Sequence, residues 1–390
     1  MYANQQLPTP DDNLLAAAGI YFPGAERVSA IAGFPHQVIV QSGDETWAVR
    51  RWPALQTITA VEWVADALEA ARAADVNLVP RHALVPGRGS QRALLHADRV
   101  YDAISWPVGR PLNRYGTFSL VVQDTINLPL PDSMAAPDVL FEAIRTLAQF
   151  HLATRAVAER ADAPVFTLQT MLTIAETNYE QLRKTVGSHA GGNQEVRRWL
   201  RCGNRILPAA AERLAEASGL ANAHTTAIHT DLWPSRLLVD DVDGVPSLSG
   251  IVGWTHAAAG VPILDLARLT ARGARWSAAT AETVVGAYTE FAPLTPEQRR
   301  LLSVVAALDL TTITGNMLQA AYNDDRIAND PAQSFIRSGV QTSLRSLETL
   351  ANVLAPEDSR KPRARTFHAR PKVPGDERPR RTPQPRNRRG

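Results

Sequence analysis

Apolar and polar residues alternate along residues 26–53, the first clearly patterned stretch of the chain. Such alternation is typical of β-strands that bury one face, and Ser42-Gly43-Asp44 supplies a turn between two of them. From residue 57 to residue 74 the apolar period lengthens to that of a helix. Two further short strands are predicted, at residues 92–97 and 99–105. This part of the chain is therefore expected to form a small antiparallel sheet with one helix.

Residues 106–111 (WPVGRP) contain two prolines and a glycine, which predicts a break in regular structure. Helical periodicity dominates after that break and is interrupted by a strand-rich segment at residues 226–255. Helices are predicted at about residues 138–160, 168–186, 193–218, 262–273, 280–291, 296–322 and 332–353. The pattern indicates an α+β protein: an N-terminal extension (1–24), a small β-rich N-lobe (25–105), a hinge (106–111) and a larger, mainly helical C-lobe (112–355).

Charge is distributed unevenly along the 390 residues, which carry a net charge of +2. Residues 359–390 hold twelve Lys and Arg residues against Asp376 and Glu377, which makes +10 there and leaves −8 for residues 1–358. A Pro/Arg-rich segment with so few apolar residues cannot bury enough surface to offset its ordering entropy. We expect residues 356–390 to be a disordered basic tail, either a solubilising extension or an electrostatic docking segment for nucleic acid or anionic lipid.

Composition also bears on the compartment. Cys202 is the single cysteine, so no internal disulfide can form and a reducing compartment is the simpler assumption. The N-terminus has no basic stretch followed by an apolar run, and apolar runs elsewhere fall short of the ~20 residues that a membrane helix needs. The sequence therefore predicts a cytoplasmic protein without a transmembrane segment.

The densest group of chemically distinctive residues lies at residues 229–241, HTDLWPSRLLVDD. His229 and Asp231 precede an irregular turn with a proline, a short strand, a polar turn and a returning strand that ends in Gly253-Trp254. A helix with an Asp-Leu-Ala start follows at Asp265. This order resembles the aminoglycoside phosphotransferase and choline kinase-like family, small-molecule relatives of protein kinases. Three further segments are similar to that family: WAVR (47–50), YDAISWPVGRPL (101–112) and LAQFHLAT (147–154).

The resemblance covers roughly residues 25–355 and implies a two-lobed, protein kinase-like fold. It also implies transfer of the γ-phosphate of ATP to a hydroxyl group of a small molecule. In that reaction Asp231 would orient the acceptor hydroxyl and take its proton, while His229 would brace the loop. Asp265 would cap its helix or bond back to the loop. His151 is expected to be a structural histidine with satisfied hydrogen bonds.

The N-lobe of such a protein holds the nucleotide. By resemblance, Ala48 would line the adenine pocket, and Arg50 would face the phosphates from the same side of its strand. Glu62 is the first candidate on the helix for a carboxylate that pairs with Arg50, and Asp66 is the second. The loop that should cover the phosphates offers only Gly33, which argues against close backbone contact there.

The metal site departs most from the family pattern. Members of the family hold Mg²⁺ with a loop Asn and with the Asp of Asp-Trp, and the matching positions here are Arg236 and Gly253. Mg²⁺ requires oxygen ligands, whereas arginine has five donors and no acceptor and glycine has no side chain. The sequence therefore predicts no metal ligands. ATP remains a candidate cofactor, and Mg²⁺ is not expected to be one.

Three roles are open for Arg236: an ion pair with Asp231 that closes the site, a fixed cation that holds phosphates in place of the metal, or a surface arginine on a relaxed loop. The first two favour a degraded kinase, or pseudokinase, that binds a nucleotide or small metabolite with little or no phosphotransfer. One alternative is an active ATP-dependent phosphotransferase. A second is a non-catalytic scaffold whose basic tail binds an anionic partner.

Overall fold

The computed structural model describes residues 11–25, 27–31, 34–107, 109–111, 137–188, 193–242, 245–273, 276–323 and 332–356. By its internal contacts the chain divides into one unit of Met1–Ala355 and another of Pro356–Gly390. Gly33, all of residues 112–136 and nearly all of the predicted tail lie outside the described residues.

The N-lobe is built on a five-stranded antiparallel sheet with the strand order β1-β2-β3-β5-β4. Its strands are β1 (Arg27–Ile31), β2 (Phe34–Ser42), β3 (Glu45–Arg51), β4 (Leu94–His96) and β5 (Arg99–Ser105). The turn at Gly43, where φ is +58°, joins β2 to β3. Helix α2 (Ile58–Ala73) follows, and Thr57 caps it by accepting a hydrogen bond from the amide of Ala60. The predicted antiparallel β lobe is confirmed.

Helix α1 (Asp12–Tyr21), which no sequence pattern predicted, packs against this sheet. Leu14 and Ala17 are buried among the apolar residues of the sheet, and the Tyr21 hydroxyl donates to the carbonyl oxygen of Arg92 at 2.6 Å. Asp11 caps the helix by accepting from the amide of Asn13. The described part of the predicted N-terminal extension is therefore a structural layer of the N-lobe.

The remainder of the described chain is mainly helical, as predicted. The helices are α3 (Pro137–Ala153), α4 (Arg155–Ala158), α5 (Leu168–Val186), α6 (Gln194–Glu216), α7 (Ser218–Ala221), α8 (Ile263–Gly273), α9 (Ala278–Thr289), α10 (Pro296–Asn323) and α11 (Ala332–Leu354). Two small sheets accompany them: β7 (Thr226–Ile228) with β10 (Ala258–Gly260), and β6 (Arg110–Pro111) with the hairpin of β8 (Leu237–Val242) and β9 (Val245–Ile251).

Helix α10 is the centre of the helical lobe and packs against α5, α6, α8 and α11. Its segment Pro296–Tyr322 is long and apolar enough to cross a membrane, but 83% of its most apolar window is buried inside the protein. Burial on all sides explains why its apolar residues occupy every face.

The two lobes meet through direct hydrogen bonds. The indole nitrogen of Trp63 on α2 donates to the carbonyl oxygen of Val157 at 3.0 Å, and Trp63 is fully buried. The amide of Ile251 donates to the carbonyl oxygen of Leu78 at 2.7 Å. These contacts place β3 and the loop after β7 on opposite sides of the junction between the lobes.

Candidate active site

Asp265, in the first turn of α8, holds the loop that follows β7. Its carboxylate accepts hydrogen bonds from the amide of His229 at 2.7 Å and from the amide of Thr230 at 3.1 Å. His151 Nε2 lies 3.3 Å from the same carboxylate. Burial disfavours ionisation, but the bonds from His151 and His229 outweigh it, and the pKa of Asp265 is lowered. A fully buried carboxylate thus sets the path of the loop.

His229 lies beneath the loop and is fully buried. Its Nε2 is 2.8 Å from the carbonyl oxygen of Val252, and the amide of Asp231 donates to its Nδ1 at 3.3 Å. Its ring packs on Trp254 with the centroids 4.6 Å apart. Burial lowers the pKa of His229, so the ring is neutral and carries its proton on Nε2. This geometry braces the loop.

Three donors surround the Asp231 carboxylate at the other end of the loop. Trp233 Nε1 donates to Oδ1 at 2.5 Å, Arg236 Nη2 donates to Oδ2 at 2.9 Å, and Arg272 Nη1 lies 3.7 Å from Oδ1. Burial opposes ionisation, but the charges of Arg236 and Arg272 outweigh it and lower the pKa of Asp231 to about 2. Of the three roles left open for Arg236, the structure shows the ion pair with Asp231.

Arg272 is held by Asp309 on α10 as well as by the loop. Its Nε and Nη2 each donate to Asp309 at 2.7 Å, and its guanidinium stacks over the Trp233 ring at 3.9 Å from the centroid. Sequence reasoning missed Arg272 and Asp309. A usable signal existed for Arg272, which follows Asp265 by two helical turns and therefore lies on the same face of α8.

Arg236 and Gly253 fit together sterically. Gly253 has a φ of +88°, which residues with a side chain rarely adopt. A Cβ atom added there would lie 2.6 Å from Cδ and 2.8 Å from Nε of Arg236. The Arg236 side chain therefore occupies the space that any side chain at position 253 would need, and its Nε is buried without a hydrogen-bond partner among the described residues.

A divalent cation does not fit this set of groups. The side chains that contact Asp231 are two guanidiniums and an indole, which supply donors and no oxygen ligand. Within the described part of the chain, no group of three or more His, Cys, Asp or Glu side chains is placed to hold a metal ion.

Across the junction, Arg50 on β3 is paired with Asp102 on β5. Arg50 Nε donates to Asp102 Oδ1 at 2.9 Å, and Nη2 donates to Oδ2. Arg50 Nη1 reaches Oγ1 of Thr255 in the other lobe at 3.5 Å. Sequence reasoning missed Asp102, although the register of an antiparallel pair of strands places it directly opposite Arg50.

The predicted pairing of Arg50 with an acid of α2 is wrong. Glu62 instead accepts hydrogen bonds from the amides of Arg92 at 2.7 Å and Ala93 at 2.6 Å. Asp66 binds the guanidiniums of Arg92 and Arg160. The resemblance placed the partner of Arg50 on α2, but that partner comes from the neighbouring strand. Ala48, two residues before Arg50 on β3, is fully buried.

A comparison with protein families matches residues 32–302 to the phosphotransferase enzyme family. Viomycin phosphotransferase of Streptomyces vinaceus is 40% identical over 62 residues, which are 16% of this chain and 22% of that protein. The chain therefore matches less than a quarter of the length of this relative.

Solved structures with the same fold cover most of the chain. An aminoglycoside phosphotransferase from Alicyclobacillus acidocaldarius matches with a TM-score of 0.58 at 16% identity, over 90% of this chain and 99% of its own. Spectinomycin phosphotransferase in complex with ADP and spectinomycin matches with a TM-score of 0.54 at 8% identity, over 87% and 99%. A microcompartment-associated aminopropanol kinase matches with a TM-score of 0.52 at 16% identity, over 86% and 98%. The predicted kinase-like fold is confirmed.

Proposed function

Because the chain belongs to the phosphotransferase enzyme family, as its motifs predicted, we propose that its cleft binds a nucleotide or a small hydroxylated metabolite with little or no phosphoryl transfer. Asp231, His229, Ala48, Arg50 and Arg236 are the residues proposed to form or support this site. An acceptor of a phosphoryl group in this site would be a hydroxyl compound.

The observation that carries the proposal is the state of Asp231. A base that assists phosphoryl transfer must accept the hydrogen bond of the attacking hydroxyl, and its strength falls with its pKa. Both oxygens of Asp231 already accept hydrogen bonds, and its pKa of about 2 makes the carboxylate a weak base. An acceptor hydroxyl would have to share these oxygens with Trp233 and Arg236.

The groups that contact Asp231 support the same proposal, because two guanidiniums and an indole offer no oxygen ligand. Charge that develops on a transferred phosphoryl group is normally stabilised by a metal ion, and this contribution amounts to several kcal/mol. Each 1.4 kcal/mol lost slows a reaction about tenfold. Arg236 carries a positive charge at the matching position, so it can attract a phosphate but cannot coordinate a divalent cation.

An active phosphotransferase is the second candidate, and one observation favours it. Four hydrogen bonds support the loop. Asp265 accepts two of them from loop amides. His229 accepts the third from the amide of Asp231 and makes the fourth to the carbonyl oxygen of Val252. The Arg236 side chain is 20% exposed, so solvent reaches it and a ligand could compete for it. Displacement of Arg236 would free one carboxylate oxygen of Asp231.

The two candidates differ in turnover and in their response to metal. We would measure ATP binding by calorimetry with and without Mg²⁺, and ADP release against a panel of hydroxylated metabolites with Mg²⁺ or Mn²⁺. The proposal predicts ATP binding that Mg²⁺ does not strengthen and ADP release no faster than in Asp231→Ala. Metal-dependent ADP release that Asp231→Ala abolishes would overturn it in favour of the second candidate.

A further inference from the structure

Arg50 lies on the N-lobe side of the junction that also holds Asp231. Its Nη1 lies 3.5 Å from Oγ1 of Thr255, two residues after Gly253, so the guanidinium contacts the other lobe. Arg50 is 7% exposed and therefore largely removed from bulk water. A largely buried cation at this junction is expected to attract an anionic ligand that binds between the lobes.

The donors of Arg50 are already used by the protein itself. A guanidinium binds a carboxylate or a phosphate through two parallel hydrogen bonds from one edge. Arg50 commits such an edge, Nε and Nη2, to the two oxygens of Asp102. A phosphate that sought bidentate binding at this edge would have to replace Asp102.

Asp102 cannot readily move away. It lies in β5 directly opposite Arg50 in the strand register, and it is fully buried. His82 Nε2 lies 3.0 Å from Oδ2 of Asp102 and adds a second contact. Burial opposes ionisation of this carboxyl, but Arg50 and His82 outweigh it and hold its pKa well below the ordinary range. The carboxylate is thus charged, fixed by the sheet and in competition with any incoming anion.

We propose that Asp102 is a specificity-determining residue of the cleft: it occupies the bidentate edge of Arg50 and so disfavours ligands that carry a polyphosphate. The cleft then binds an uncharged ligand, such as a nucleoside or a hydroxylated metabolite, more tightly than a ligand that carries a polyphosphate. This inference rests on the proposed function, because it names the ligand class of the same site.

The alternative is that the pair of Arg50 and Asp102 only stabilises the sheet, while phosphates use the remaining edge of the guanidinium. The two accounts differ in what happens when the charge of Asp102 is removed. A structural pair predicts lower stability and unchanged anion binding. A competing carboxylate predicts stronger anion binding that depends on Arg50.

The test uses inorganic tripolyphosphate and adenosine as separate probes, with binding measured by calorimetry on the full-length protein. Asp102→Asn keeps the shape of the side chain and removes its charge, so tripolyphosphate affinity should rise about tenfold, or about 1.4 kcal/mol. Adenosine affinity should not change. The gain should disappear in the double variant Asp102→Asn/Arg50→Gln, and the exposed substitution Glu180→Gln serves as the matched control.

Equal tripolyphosphate affinity in the wild type and in folded Asp102→Asn would overturn the proposal, as would a gain that persists without Arg50. Should Asp102→Asn not fold, the Arg50 Nε–H resonance of the wild-type protein decides: it should be unmoved at saturating tripolyphosphate, and a shift would overturn the proposal. Failure of adenosine and ATP to bind would instead count against nucleotide binding as the proposed function, since tripolyphosphate requires no nucleoside pocket.

Discussion

The two ends of the loop at residues 229–236 are each organised around a carboxylate, fully buried at Asp265 and partly exposed at Asp231, and the partners differ in kind. Asp265 accepts from two backbone amides and contacts the imidazole of His151. Asp231 accepts from an indole and from the guanidinium of Arg236, with a second guanidinium 3.7 Å away. One carboxylate fixes the path of the backbone, whereas the other has its charge neutralised by side chains.

This difference shows that the shape of a catalytic-type loop and its chemistry are separable. Backbone amides are supplied by any residue, so the anchoring at Asp265 does not depend on which side chains occupy the other end. The reactive end could therefore accept Arg236 and Gly253 without loss of the loop. Because the Arg236 side chain fills the space beside Gly253, we expect the two positions to be coupled.

The largest expected effect comes from removing the anchor. Asp265→Ala leaves two amides and an imidazole without their acceptor in a buried place, so the free energy of unfolding should fall by about 3 to 5 kcal/mol. Urea unfolding measures this change. Glu180→Ala, at an exposed carboxylate, should cost less than about 0.5 kcal/mol. A loss below about 1 kcal/mol for Asp265→Ala would show that the loop is held by other contacts.

The next largest effect tests whether positions 236 and 253 are coupled. Gly253→Asp places a side chain at φ +88° and against Arg236, so it should cost about 2 to 3 kcal/mol. Arg236→Asn in the same chain should recover at least about 1 kcal/mol of that loss. Gly219→Asp is the matched control, since a Cβ atom there meets nothing within 4 Å. Strictly additive costs in the double variant would refute the coupling.

A third prediction concerns pH at the reactive end. The folded pKa of Asp231 is about 2, below its ordinary value of 3.8, so its ion pairs stabilise the folded state above pH 3.8 and lose this effect as pH falls through 2. The wild type should therefore exceed Asp231→Asn by about 2 kcal/mol more at neutral pH than in strong acid. Urea unfolding from pH 3 to pH 7 measures the onset of this decline. A difference that does not vary with pH would contradict the depressed pKa.

The smallest effect is expected at Thr230, between the two ends. Its φ is +62°, where a β-branched residue is strained, and its hydroxyl donates to the carbonyl oxygen of His256 at 2.6 Å. Thr230→Ser keeps the hydroxyl and removes the branch, so the free energy of unfolding should rise by about 0.5 kcal/mol. Thermal unfolding at matched pH measures it. A loss above about 1 kcal/mol would mean that the methyl group packs favourably.

Sequence patterns predicted most of the fold because apolar periodicity reports which face of an element is buried. They missed α1, which is short and rich in alanine and lies in the range that was treated as an extension. Within the site, the motif around His229 and Asp231 identified the loop. The partners of Asp231 were missed in part, because Arg272 approaches from another helix and no local spacing encodes that contact.

By itself, the sequence determined the two-lobed α+β fold and the family. Those properties depend on periodicity and on residue chemistry, which are local. Only the tertiary structure decided that Arg50 pairs with Asp102 rather than Glu62, that Arg236 fills the space at Gly253, and that two guanidiniums lower the pKa of Asp231. Each of these depends on distances between segments far apart in the chain, and pairwise electrostatic and steric energies are set by such distances.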